Sequence, residues 1–201
     1  MKYVDPPFGL GESLSGTDDD SNETNGHWEG AIYEFPDVDA SPALRGGKSR
    51  RSGQQIRAMV VRNRSGGNLV VAKKCLKIDL TPTSTRKFMG AVDGQCSAVN
   101  QVGGIGDPEL TGTLLTTGIA DKDLFWLIIG GPCECLVKAS EAHLVGSLLC
   151  SSATAGALAL ATFGSDTIGM HSAANVIARA TIANGTTSAA AVVVNVCSQI
   201  G

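Results

Sequence analysis

Leu124-Phe125-Trp126-Leu127-Ile128-Ile129, then Gly130-Gly131-Pro132, then Cys133-Glu134-Cys135-Leu136-Val137-Lys138-Ala139 is the stretch whose reading decides the fold. A short, continuous apolar run bounded by turn residues reads as a buried strand. Gly130-Gly131-Pro132 reads as a break, because Gly admits positive φ and Pro supplies no N–H to a ladder. Residues 133–139 then resume with alternation. Cys133 and Cys135 fall on one face of a strand, about 7 Å apart, with Glu134 on the other.

The same texture continues on both sides. Downstream, Leu144–Leu149 and Ala157–Thr162 read as two short buried strands around the turn Cys150-Ser151-Ser152-Ala153-Thr154-Ala155-Gly156. Val176–Ile182 and Ala189–Cys197 flank Asn184-Gly185-Thr186, a hairpin signal. A short helix over Ala173–Ala180 is the alternative for the first of these. Upstream, Ile56–Arg64 and Leu69–Leu80 flank Arg64-Ser65-Gly66-Gly67-Asn68 and are expected to form a hairpin. Leu76, Ile78 and Leu80 alternate there with Lys77 and Asp79. Gly103-Gly104-Ile105-Gly106-Asp107-Pro108 is expected to lie in a long loop; it lacks the Lys-Ser/Thr of a phosphate loop. Roughly eight to ten strands with frequent turn signals predict a mainly β protein, an antiparallel β-barrel or sandwich.

Composition agrees. The chain has 201 residues, 43% hydrophobic but only 4% aromatic, with 25 glycines. Small and β-branched side chains must therefore fill the core. Leu144–Ser165 carries no charge, but its serines, threonines and central turn read as strands, so no membrane span is expected. The six cysteines are expected to be free thiols of a chain made in a reducing cytoplasm, since no export signal opens the sequence.

Charge is segregated along the chain. Residues 1–44 hold ten acids and one base, residues 45–89 twelve bases and one acid, and residues 90–201 eight acids and three bases. The domain reading follows: residues 1–54 form an extended acidic N-terminal arm with a basic linker, and residues 55–201 the β domain. The arm carries Pro6, Pro7, Pro36, Pro42 and Asp18-Asp19-Asp20, a composition that cannot bury enough apolar surface by itself. Trp28, Ile32, Tyr33 and Phe35 interrupt it between acidic clusters, as anchors of a docking peptide do. The alternative is that these side chains fold back on their own domain. Arg45, Lys48, Arg50 and Arg51 lie in a Gly/Ser linker with no aromatic among them to stack on a base. They are read as contacts to an acidic protein surface, or to the acidic arm itself, and not to nucleic acid.

No catalytic set emerges. Gly-x-Ser-x-Gly is absent, and Cys133-Glu134-Cys135 lacks the spacing and further ligands of a zinc site. His143 and His171 read as loop residues. The expectation is a protein without enzymatic activity, cofactor or metal. A hydrolase on a β scaffold, using His143 or His171, is the competing class.

The second half resembles the small β-barrel decoration (cement or head-stabilising) proteins of tailed bacteriophages. The resemblance rests on Gly130–Lys138, Gly146-Ser147-Leu148-Leu149, Ala155-Gly156-Ala157, Ile168-Gly169, Ala178-Arg179-Ala180 and Val192-Val193-Val194-Asn195-Val196. It implies a virion location on the capsid surface, the major capsid protein as partner, self-association as a homotrimer, and no cofactor. Another virion component, such as a coat protein, head-fibre base or adhesin domain, is the alternative. The basic segment has no counterpart in that resemblance.

Overall fold

The computed structural model describes residues 30–39, 49–70, 73–79, 91–98, 101, 103–106, 118–121, 123–161, 176–183 and 190–197. Within them lie ten strands and no helix. They are β1 (Ile32–Asp39), β2 (Ser49–Asn63), β3 (Lys74–Asp79), β4 (Ala91–Gln95), β5 (Gly103–Gly106), β6 (Leu124–Val137), β7 (Leu148–Ser151), β8 (Leu158–Leu160), β9 (Val176–Ala180) and β10 (Ala190–Cys197). The protein is mainly β, as its composition predicts. No helix among the described residues is long and apolar enough to cross a membrane.

The strands close into rings. β2, β4, β3, β5 and β6 follow one another, and β6 returns to pair with β2. Every pairing in this barrel is antiparallel except β2–β4. A second ring repeats the pattern. β6, β8, β7, β9 and β10 follow one another, and β10 returns to β6. Its one parallel pairing, β6–β8, occupies the same place as β2–β4 and rests on Val137 opposite Leu158. The two rings thus have the same connectivity and the same strand directions, and β6 is the last strand of one and the first of the other. The parallel pairings make the barrel mixed, where sequence reading expected it to be antiparallel.

β6 corrects a second expectation. Gly130-Gly131-Pro132 does not end the strand; β6 runs through it unbroken. Leu124–Gly130 pairs with β2, and Gly130–Val137 pairs with β10. The two ladders overlap at Gly130, which pairs with both Arg57 and Cys197. Gly131 has φ +93°, and a Cβ there would lie 2.2 Å from the Gln55 carbonyl oxygen. Both faces of the first half are buried. Leu124, Trp126 and Ile128 join a cluster that continues through Cys133, Cys135 and Val137 to Leu149, Leu158 and Val194. Phe125, Leu127 and Ile129 join a second cluster with Met59, Val61, Leu76 and Ile78. A strand covered on both sides has no polar face, which accounts for the uninterrupted apolar run.

The expected hairpin of residues 56–64 and 69–80 does not form. The turn is present, with Gly66 at φ +80°, but β3 pairs with β4 and β5. Both edges of β2 are taken, by β6 on one side and by β1 and β4 on the other. The turn is held instead by buried Asn63. Its Nδ2 donates to the carbonyls of Gly67 (2.8 Å), Ile119 (2.8 Å) and Ala120 (3.0 Å), and its Oδ1 accepts from Ser65. Leu69 then bridges to Ile119 rather than starting a ladder. The expected pairs at the C-terminal end do form: β7 with β8, and β9 with β10. Val176–Ala180 is strand, so the helical alternative fails over those residues.

Gly103–Gly106, expected in a loop, is the buried central strand β5. A Cβ on Gly103 would stand 2.0 Å from the Leu76 carbonyl oxygen, and one on Gly104 would stand 2.4 Å from that of Ile128. The glycines are there because neighbouring backbones pass too close for any side chain. Gly104→Ala therefore lowers the unfolding free energy by at least about 3 kcal/mol. Gly67→Ala, where a Cβ meets nothing within 4 Å, changes it by less than about 0.5 kcal/mol. Urea denaturation of the two variants separates them, and equal stabilities would refute the register of β5.

Candidate functional site

The residues singled out for docking divide into two groups. Trp28, Arg45 and Lys48 lie outside the described residues, as does the arm from residue 1 to 29. Ile32, Tyr33 and Phe35 lie in β1, opposite Met59, Ala58 and Ile56 of β2. Arg50 lies in β2 opposite Val38, with Arg51 next to it. The boundary drawn at residue 54 falls inside β2, so the arm's end and the basic linker enter the sheet as a two-stranded ribbon.

The ribbon has two ends of different chemistry. At the barrel end, Tyr33 is half-buried against the larger apolar cluster. Its ring meets that of Trp126 edge to face, with centroids 5.4 Å apart and planes at 89°. Such pairs contribute about 0.5–1.5 kcal/mol beyond burial. Tyr33 thus folds back on its own domain, while Ile32 beside it remains 39% exposed. Glu34 stands opposite Arg57, with 3.7 Å between carboxylate and Nε, an ion pair too long for a hydrogen bond.

Toward the far end the register shifts. The partner of Pro36 is Gln55, whereas that of Val38 is Arg50, so Arg51–Gln54 bulge out of the pairing. Residues 49–55 precede the pairing of β2 with β6, which begins at Arg57. Among the described residues this stretch pairs with β1 alone. Glu34, Asp37 and Asp39 therefore lie on a strand antiparallel to the one that carries Arg50, Arg51 and Arg57. The backbone pairing brings the end of the acidic block alongside the described part of the basic block.

Sequence reasoning missed a second surface. Leu144 and Val145, read as the start of a buried strand, are 73% and 68% exposed in the turn before β7. That turn is hydrogen-bonded to the end of β9: Gly146 N–H donates to Ala180 O (2.8 Å), and Ala180 N–H donates to Ser147 O (2.9 Å). Ile182, also exposed, follows two residues later. The turn contains no Asn, Asp or Pro to announce it; Gly146, at φ +87°, is its only local signal.

The chemistry-bearing residues assemble no reactive set among the described residues. His143 is buried, its Nδ1 3.4 Å from the Glu141 carbonyl oxygen, and no hydroxyl or thiol engages its ring. The Glu141 carboxylate is occupied by Lys138 Nζ (2.6 Å) and the Leu160 N–H (3.3 Å). No group of three or more His, Cys, Asp or Glu among the described residues is placed to hold a metal ion. His171 lies outside them. Cys133 and Cys135 are both buried, with Glu134 turned outward and paired with Lys73.

No family model matches the chain, and no curated protein matches it. Among solved structures it is similar to the head fiber gp8.5 N base of bacteriophage phi29. The alignment has a TM-score of 0.39 and 13% identity, covering 73% of this chain and 98% of that one. Likeness at that level does not carry function from one protein to the other.

The ribbon's attachment can be measured. A double-mutant cycle with Tyr33→Leu and Trp126→Leu gives a coupling of about 1 kcal/mol in chemical denaturation. Strictly additive effects would mean that β1 is not held by this ring contact.

Proposed function

We propose that this chain is a non-enzymatic virion structural protein. In this reading it binds the outer surface of a viral capsid and stabilises it by bridging subunits of the major capsid protein. The observation that carries the reading is the charge-opposed β1–β2 ribbon, anchored at the barrel by Tyr33 and extending past β6 toward Arg50 and Arg51. An extended element of this kind presents backbone and charge to a neighbouring protein while its root stays fixed, and charge complementarity then sets register and partner choice. The segment bearing Trp28 leads into the ribbon from one side, and that bearing Arg45 and Lys48 joins its two strands. The resemblance to decoration proteins supports the capsid surface as the site and a homotrimer as the assembly.

The reading is tested on native particles. Mass spectrometry finds the chain in purified virions, where external protease cleaves it; its absence from particles overturns the proposal. Rebinding to stripped particles weakens at least tenfold when Arg45, Lys48, Arg50 and Arg51 are changed together to Glu, and falls steeply as salt rises. Removal of residues 1–29 leaves the thermal midpoint within about 2 °C. Removal of residues 1–44 lowers it by several degrees more, because that cut takes away β1 and uncovers Trp126.

A further inference from the structure

Four buried thiols gather where the two rings meet. Cys75 belongs to β3, Cys96 follows β4, Cys135 lies in the second half of β6, and Cys150 lies in β7. Cys75 and Cys96 continue the β3–β4 register, in which Leu76 faces Gln95, and their sulfurs are 3.3 Å apart. The Cys96 N–H donates to the Cys75 carbonyl at 3.0 Å. The turn before β8 closes a three-way set of backbone bonds around them. Cys75 N–H donates to Gly156 O (2.8 Å), and Gly156 N–H donates to Cys96 O (2.8 Å). Both backbones are therefore fixed with the two sulfurs already in contact. Cys135 and Cys150 are close enough to act on Cys75 electrostatically, but the direct sulfur contact of Cys75 is with Cys96.

We propose that Cys75 and Cys96 are a built-in disulfide site, reduced as synthesised and closed by a peroxide once the protein leaves a reducing compartment. This goes beyond the capsid reading and does not depend on it. The step balances simply. The Cys96 thiol takes one oxygen from hydrogen peroxide, becoming a sulfenic acid and releasing one water. The Cys75 sulfur then attacks the Cys96 sulfur; the S–S bond forms as the S–O bond breaks, and the hydroxyl leaves with the Cys75 proton as a second water. Cys96 is the first target because Ser97 and Ala98, which follow it, are exposed, so a small local opening admits peroxide. Cys75 is the poorer first nucleophile: the hydrogen bond with Cys96, and then burial, hold its thiol well above the ordinary range. A metal role for the group is not supported, since no described cluster has the placement of a metal site. Closure would tie β3 to the end of β4 under the Gly156 turn, locking the seam between the rings.

The experiment uses the full native chain, reduced and then treated with dilute hydrogen peroxide. It is denatured with a thiol-blocking maleimide and mapped by non-reducing tryptic mass spectrometry. Lys74, Lys77, Lys122 and Lys138 place Cys75, Cys96 and Cys135 on separate peptides, and Cys150 on a fourth. The expected product is the Cys75 peptide joined to the Cys96 peptide, two hydrogens lighter than their sum. The bond spans 21 residues, so the thermal midpoint of the oxidised form rises by roughly 5–10 °C. Oxidation of exposed Cys197 without the Cys75–Cys96 link overturns the proposal, as does a link from either residue to Cys135 or Cys150.

Discussion

The structure depends on one strand serving two barrels. β6 offers its first half to β2 and its second half to β10, and neither ring closes without it. Every backbone polar group of a strand buried on both faces needs a partner, because an orphaned one costs about 1–3 kcal/mol. Gly130 is paired with both strands, with Arg57 of β2 and Cys197 of β10. Gly131, at positive φ, lets the β2 backbone at Gln55 pass too close for any side chain where the two ladders overlap. The glycine pair is therefore a junction in the hydrogen-bond network, not a gap in it.

Sharing a strand also explains the repeated connectivity. Once β6 ends one ring, the next four strands can reproduce the same path only by starting from it. The N-terminal side shows the same logic in part. β1 pairs antiparallel with β2, as β5 does with β6 and β9 does with β10. β2, at 15 residues, is long enough to act as β6 does, with one half in the barrel and the other half beyond it. The ribbon is thus a continuation of the repeating plan, and its place in the fold follows from the length of β2.

How much of this was legible in the sequence depended on the range of the interactions. The alternation of Leu76 and Ile78 with Lys77 and Asp79, the β9–β10 hairpin and the β7–β8 pair are set by neighbours in sequence, and they read correctly. What failed was long-range. The turn at residues 64–68 was recognised, but local pattern holds no information that both edges of β2 are occupied. Gly103–Gly106 looked like a loop because glycine signals freedom; here it signals crowding by Leu76 and Ile128. Leu144 and Val145 looked buried because apolar residues usually are, but they sit exposed at the turn before β7. Of the candidate docking residues, sequence supplied the composition and the charge order. It left open whether Tyr33 turned outward or back, and the Trp126 ring decides that.

The charge pair at the ribbon's root is poorly suited to holding it in place. The Glu34–Arg57 pair is partly exposed and loosely spaced, and such pairs contribute at most about 1 kcal/mol, less as salt rises. A two-stranded ribbon is only marginally stable by itself, so its order has to come from the end that touches the barrel. There the Tyr33–Trp126 contact and the backbone pairing of Ile32–Phe35 supply it, through interactions that salt does not screen. Attachment and charge are thereby separated along one element. The aromatic root fixes the ribbon to its own domain, and under the proposed function the acidic and basic residues toward the tip contact the partner.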